Sequence, residues 1–282
     1  MTLPSPHDRY LCICADDFGL SEGVNAAILD LAERGRISAT GCMVRRPAWE
    51  TGRSRLRRID RTRLDVGLHL DLTPPPPGDA REPGLAALIA KGWLGLLRPA
   101  EIRAEIADQL SRFEDGFGRA PAFVDGHRHV HQFAVVRDML VAEIATRYGA
   151  AAPWIRNTAP PAPRWRAGAK ANLVFALGGA GLLERAARHG ILASRGLLGV
   201  YGFDGGAADY RRRLWQWIAA CRSGDVLMCH PALADAPSDP IAAARRHEYA
   251  VLAATVFPMQ TQGGAVFLAP LSRQPRAEGP RA

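Results

Sequence analysis

The sequence predicts an α/β fold, a single distorted (β/α) barrel of about seven parallel strands with its functional site at the C-terminal rim. Two observations carry this. Short apolar runs alternate with amphipathic stretches from Tyr10 to Ala269, and no linker divides them. Acidic and imidazole side chains also recur just after the apolar runs, where a parallel barrel gathers them on one face. At 282 residues the chain has the length of one such barrel. The expected division is one domain over 1–271 and a disordered tail over 272–282, rich in Pro and Arg.

Tyr10 to Ala15 is an apolar run that Asp16-Asp17-Phe18-Gly19 ends. Ser21 suits an N-cap, Val24, Ile28 and Leu31 share a helical face, and Arg34-Gly35 closes that helix. Ile37 to Val44 reads as the next strand, which makes a βαβ unit. Asp65 to Leu72 is a strand with His69 near its end, and Pro74 to Pro77 turns the chain away. Pro99 suits the first helical position, and Ile102, Ile106, Leu110 and Phe113 mark the apolar face behind it.

Ala122-Phe123-Val124 is a buried strand that breaks at Asp125-Gly126 into a loop with His127, His129 and His131. A helix from about Val135 to Tyr148, a short strand at Trp154–Arg156 and a proline-rich loop at Pro160–Pro163 follow. Ala169 to His189 reads as a buried helix broken at Gly178-Gly179. Gly196 to Phe203 is strand- or loop-like, Tyr210 to Cys221 a helix, and Asp225 to Cys229 a strand that runs into His230-Pro231. A helix from about Pro240 to Ala254 and a strand at Ala265–Ala269 complete the fold.

Composition excludes several classes. No run of eighteen apolar residues is present, and Met1 to Arg9 is polar, so neither a spanning helix nor a signal peptide is expected and a cytoplasmic location is the default. The five cysteines match no zinc-ribbon or disulfide spacing; Cys12 and Cys14 read as small buried hydrophobes in a reducing compartment. The formal charge of +8 comes almost wholly from arginine. Its one local concentration, Arg45, Arg46, Arg53, Arg55, Arg57, Arg58, Arg61 and Arg63, contains a single aromatic residue, Trp49, rather than a series of stacking platforms; a solvated helix face fits it better than a nucleic-acid surface.

Asp16 and Asp17, His69, the triple-histidine loop and His230 follow four separate strands and so converge on one rim. A carboxylate with two imidazoles binds a divalent metal and leaves positions open for water and substrate. Such a metal polarises a carbonyl and acidifies its water, while a second carboxylate takes the proton. Adjacent aspartates can divide these duties because successive side chains point apart. A histidine across the site can then protonate the leaving group.

The motifs resemble a known family. Ala15-Asp16-Asp17-Phe18-Gly19-Leu20-Ser21 with Gly23-Val24-Asn25-x-Ala27-Ile28, Gly67-Leu68-His69-Leu70-x-Leu72-Thr73, Asp125-Gly126-His127-x-His129-Val130-His131 and Cys229-His230-Pro231 look like the YdjC family, the ChbG/HpnK-type carbohydrate deacetylases. The resemblance implies Asp17, His69 and His127 as ligands of one divalent metal and Asp16 as general base. It places His230 as catalytic acid with His131 competing, and Arg156 as a residue that orients Asp16 or contacts substrate; His129 becomes a substrate-side or supporting residue. Magnesium is the ion the family implies, although two imidazoles suit Zn2+, Mn2+ or Co2+ at least as well. The implied reaction is removal of an N-acetyl group from an amino sugar or oligosaccharide, a hydrolysis of a linear amide C–N bond. An O-acetyl or phosphate ester at the same site, or a non-catalytic carbohydrate- or nucleic-acid-binding module, are the alternatives. The expected partner is a small-molecule or oligosaccharide substrate, and a homodimer is allowed for.

Overall fold

The computed structural model describes residues 7–73, 97–161, 168–234 and 239–275. The turn expected at Pro74–Pro77, the end of the loop at Pro160–Pro163 and the last seven residues of the expected tail lie outside them.

Seven parallel strands form the barrel wall: β1 (Arg9–Phe18), β2 (Ala39–Cys42), β3 (Asp65–Leu70), β4 (Phe123–Gly126), β5 (Trp154–Ile155), β6 (Leu197–Leu198) and β7 (Val226–Cys229). Their hydrogen-bonded order runs β5-β4-β3-β2-β1-β7-β6. Ile155 bridges to Ala193 in parallel, and the Leu197 N–H donates to the Ala159 carbonyl, so the strand that enters β6 lies against β5 and brings the ring round. The closure rests on two-residue strands, which is the distortion the sequence leads one to expect.

Two sets of buried residues mark the inside and outside of this wall. Cys12, Cys14, Phe123, Trp154, Leu197, Val226 and Met228 pack together as the barrel interior. Leu11, Ile13, Ala15, Val124, Ile155, Leu198 and Leu227, the alternate residues of the same strands, pack with the helices outside. Gly67 belongs to the inner phase, and its missing side chain admits the Phe123 ring, which stacks on Trp154 at 4.4 Å. A Cβ at Gly67 would lie 2.5 Å from that ring. Gly67→Ala is therefore expected to lower stability by about 1–3 kcal/mol, read as a lower denaturant midpoint at unchanged slope.

The helices cover the outside: α1 (Glu22–Glu33), α2 (Ala48–Leu56), α3 (Pro99–Phe117), α4 (Ala134–Tyr148), α5 (Ala169–Ala176), α6 (Gly179–Arg188), α7 (Ala207–Ala220) and α8 (Ala242–Ala254). Ser21 caps α1 by accepting from the Val24 N–H, Pro99 opens α3, and the helical stretch from Ala169 breaks at Gly178, as the sequence indicates. The strand expected at Ala265–Ala269 is β9 (Gly264–Leu268), which pairs in parallel with the first residues of β1; β8 (Met259–Thr261), which the sequence reading did not contain, pairs with it as an antiparallel hairpin.

The beginning of the expected tail is fixed. Ser272 donates from its backbone N–H to Asp65 Oδ2 at 3.0 Å and from its hydroxyl to Asp65 Oδ1 at 2.5 Å. Leu271 packs against the inner cluster, so this turn covers the end of the barrel opposite the site. The arginine-rich stretch forms α2 and its flanks: Arg45 pairs with Glu105, Arg46 with Asp71 at 2.7 Å, Arg53 with Glu50 at 2.7 Å, and Arg57 donates to the Asp115 carbonyl at 3.1 Å. Several of these cations are thus spent within the chain. All five cysteines are free and buried. Among the described residues no helix is long and apolar enough to cross a membrane.

Candidate active site

β1 does not end at Asp16. It continues to Phe18, and its pairing with β2 passes from Ala15↔Thr40 to Phe18↔Cys42, one residue more on β1 than on its partner. This bulge puts Asp17 at φ 72°, a left-handed conformation uncommon for a residue other than glycine. Two adjacent carboxylates are thereby aimed apart. Asp16 faces Arg156 and His230, and Asp17 faces His69, His127 and Arg245.

Asp17, His69 and His127 offer ligand atoms that all lie within 4.8 Å of one another. Asp17 Oδ1 is 3.1 Å from His127 Nδ1 and 3.5 Å from His69 Nε2. The register explains part of this closeness: His69 and Asp125 are direct partners across β3 and β4, and His69 Nδ1 meets Asp125 Oδ1 at 2.6 Å. With Nδ1 donating to that carboxylate, the neutral form of His69 that a metal takes would have the lone pair of Nε2 turned toward Asp17. Gly41 on β2 leaves the space that the His69 side chain occupies, since a Cβ there would come 3.1 Å from the His69 Cβ and 3.2 Å from its ring Nδ1.

One carboxylate oxygen and two imidazole nitrogens, one of them set in its tautomer by a carboxylate, fit a divalent cation. The charges fit as well. Asp16, Asp17 and Asp125 are all buried, and Arg156 and Arg245 are the guanidiniums beside them. Burial works against ionisation of Asp17, yet the charge of Arg245 and the neighbouring His127 hold its pKa well below the usual range. Burial also works against a charged His69, but Asp125 and Asp16 raise its pKa well above the ordinary value. A site that favours positive charge this strongly would favour a cation.

A second group, Cys14, Asp16 and Asp125, also has metal-ligand chemistry. Its centre is filled by a guanidinium. Arg156 Nη2 lies 2.6 Å from Asp16 Oδ1, 2.6 Å from Asp125 Oδ2 and 2.9 Å from Cys14 Sγ, and Nη1 donates to Asp16 Oδ2 at 2.6 Å. Arg156 is 1% exposed, and its guanidinium is held among these side chains, with both oxygens of Asp16 bonded to it.

The remaining histidines separate. His230 Nε2 is 3.9 Å from Asp16 Oδ2, which brings it to the site, and burial pushes its pKa down to about 4 against the pull of Asp17 and Asp16. His131 is fully buried and donates from Nε2 to the Arg156 carbonyl at 3.0 Å, behind the site. Burial lowers it to about 4 as well. His129 lies beside His131 with ring centroids 6.5 Å apart, and burial, then His131 and Arg156, push its pKa well below the usual value. Arg128 and His129 have φ 53° and 60°, so the triple-histidine segment turns tightly and sends its three rings different ways.

Three residues here were not assigned by the sequence reading: Asp125, Arg245 and Glu248. Arg245 donates to Asp17 Oδ2 at 2.8 Å and to Asp239 Oδ2 at 2.7 Å, which leaves Asp17 Oδ1 for the imidazoles. Glu248 accepts from the His230 backbone N–H and from the Tyr201 hydroxyl. The signal for the last two was present: Ala244, Arg245, Glu248, Val251 and Leu252 form the buried stripe of α8, with two charges in it.

A protein-family model described as YdjC-like protein matches residues 10–261. A chitooligosaccharide deacetylase of Enterobacter sp. (strain 638) is 37% identical over 150 residues, which are 51% of this chain and 58% of that protein. One from Escherichia fergusonii is 35% identical over 152 residues, with the same coverage. The aligned stretch thus spans less than two thirds of these relatives' own length. Among solved structures, a proposed cellobiose-phosphate cleavage protein from Enterococcus faecalis V583 superposes with a TM-score of 0.65 at 20% identity, covering 94% of this chain and 98% of that one; the likeness extends to the fold.

Proposed function

From the premise that the chain belongs to the YdjC-like family, we propose that it is a metal-dependent hydrolase that removes an N-acetyl group from an amino sugar or oligosaccharide and releases acetate. The observation that carries this reading is the trio Asp17, His69 and His127 set next to a separate, arginine-held carboxylate, Asp16. Asp17, His69 and His127 would hold the cation. A bound divalent ion polarises the acyl oxygen and makes water more acidic at that place.

The chain's own residues supply the proton handling. Asp16 stays ionised: burial opposes this, but the charge and hydrogen bonds of Arg156 outweigh it and hold the carboxyl well below its usual pKa. It can accept the proton of the attacking water at an oxygen whose position Arg156 fixes. His230 is neutral near pH 7 and lies 3.9 Å from the same carboxylate. It can take up the proton and pass it to the departing amine, so that one water ends as the acetate oxygen and the amine hydrogen. His131 stands behind Arg156 and does not compete for this step. The two imidazoles favour Zn2+, Mn2+ or Co2+ over Mg2+ at the metal site, and the free cysteines suit a reducing cytoplasm.

Acetate release from N-acetylglucosamine oligomers, set against release from O-acetylated sugars and against phosphate release from sugar phosphates, tests the bond. Preference for the amide supports the reading; preference for either ester transfers the same site to the other reaction. Treatment with a chelator is expected to abolish the activity, and re-addition of one divalent ion at a time to restore it. Activity that survives chelation excludes the metal-dependent mechanism.

A further inference from the structure

Helix α8 carries two charged residues on its buried face, and the ion pairs of Arg245 with Asp17 and Asp239 account for one of them. Glu248 is the other. It has no exposed surface, and it contacts none of Asp17, His69 and His127 among its hydrogen bonds and ion pairs. Its Oε1 accepts the Tyr201 hydroxyl at 2.6 Å, and its Oε2 accepts the His230 backbone N–H. The same Oε1 lies 4.0 Å from His230 Nδ1, a buried ring nitrogen with no hydrogen-bond partner. The other ring nitrogen, Nε2, faces Asp16. Phe203 sits edge-on to the His230 ring at 5.2 Å, with its own backbone at φ 60°. His230 is thus bonded at its backbone and packed against Phe203, with a carboxylate oxygen 4.0 Å behind Nδ1 and Nε2 left toward Asp16.

A buried carboxylate between two neutral donors is a costly arrangement. The groups that act on it are His230 and Cys229 at the end of β7, Tyr201 after β6, Tyr210 on α7, Asp16 on β1 and Arg245 one turn back. Arg245 is the cation of the set, and it is engaged with two aspartates. Burial pushes Glu248 up to about 7, against the His230 and Tyr201 hydrogen bonds. Because the folded-state value lies above the ordinary 4.5, stability present below that pH is lost as pH rises through about 7. A glutamine has the same shape; its carbonyl can accept the His230 N–H, and its amide can donate to the Tyr201 oxygen. A group that lowers stability where a neutral isostere fits is one held for chemistry.

We propose that Glu248 is a positioning residue for His230: its carboxylate fixes the backbone and places a negative charge behind Nδ1, which orients the imidazole and supports the positive charge it acquires when it handles the proton. The proposal rests on the deacetylase reading for the role of His230, whereas two of its readouts need no turnover.

The test compares the full-length protein with Glu248→Gln, each loaded with Zn2+. In the variant kcat is expected to fall about ten- to a hundred-fold with KM within about twofold, and Zn2+ affinity to stay unchanged. The melting temperature at pH 8 is expected to hold or rise. The 15N resonances of the His230 ring in the metal-free protein are expected to move. In a His230→Asn background, Glu248→Gln should cost nothing further. A kcat at the parent value, unmoved His230 resonances, or independent losses in the double variant would overturn the proposal. So would a fall in melting temperature, up to failure to fold, which would make Glu248 part of the scaffold. A parent protein that releases no acetate refutes the deacetylase reading on its own, and the His230 resonances and melting temperature still decide the role of Glu248.

Discussion

Asp16→Asn is expected to abolish acetate release while the protein still binds its metal. Neither oxygen of Asp16 belongs to the Asp17, His69 and His127 group, so the metal affinity measured by calorimetric titration should stay within a few-fold of the parent. The rate should fall by roughly a hundred- to ten-thousand-fold, the range that a positioned acid or base contributes. The substitution also disturbs Arg156, which donates to both Asp16 oxygens at 2.6 Å; an asparagine amide would turn a donor toward a donor. A stability loss of about 1–3 kcal/mol should accompany the loss of rate, so both measurements belong at a temperature where the variant is folded. His127→Ala provides the contrast, because it should lose metal binding and turnover together. Retained turnover in the Asp16→Asn protein would remove Asp16 from the role of base, and lost metal binding would make it a ligand.

What the sequence revealed depended on how local each determinant is. The Ser21 cap, the Pro99 start and the break at Gly178 act within a few residues, and each lies where the chain suggests. β9 lies where a strand is expected at Ala265–Ala269, but its hairpin partner β8 was hidden because a three-residue strand with one buried side chain has no readable alternation. The end of β1 misled for a different reason. Two adjacent aspartates read as the end of the strand, yet Asp16 and Asp17 lie within it and are 2% and 1% exposed. What lets a strand continue through them is Arg156 and Arg245, which lie 140 and 228 positions away in the chain.

The same distinction divides the site. His69, His230 and the triple-histidine loop could be found because parallel strands put their ends on one rim; the choice of His127 within that loop came from the family resemblance. Arg156 also follows a strand, but its direction depends on Cys14, Asp16 and Asp125, which draw the guanidinium into the barrel. A long cation is so seldom fully buried that the sequence left both readings of Arg156 open, one that orients Asp16 and one that contacts substrate. Asp125 stood in the histidine motif without a role, and only the β3–β4 register, which sets it beside His69, supplies one.

The largest stability effect should come from Arg156→Met. The substitution keeps much of the side-chain volume and removes the charge between Asp16 and Asp125, both of which are held at 2.6 Å by the same Arg156 Nη2. Breaking a buried pair from one side leaves uncompensated charge, so a loss of about 3–5 kcal/mol is expected at pH 7. Its pH dependence identifies the cause. In the parent, Asp16 titrates well below its ordinary 3.8, so its stabilising contribution is complete above that value and is lost as pH falls toward the lowered one. In the variant, two adjacent buried carboxyls cannot both ionise readily, and one is raised above its unfolded value. That raised group stabilises the variant at low pH and stops doing so as pH rises through its new pKa. The gap between parent and variant should therefore be widest near neutrality and narrow steadily toward pH 4, as read by denaturant midpoints. A gap that stays constant over this range would mean that Arg156 supports the barrel by packing alone; narrowing would show that the carboxylates of the site stay ionised in the core because this arginine is there.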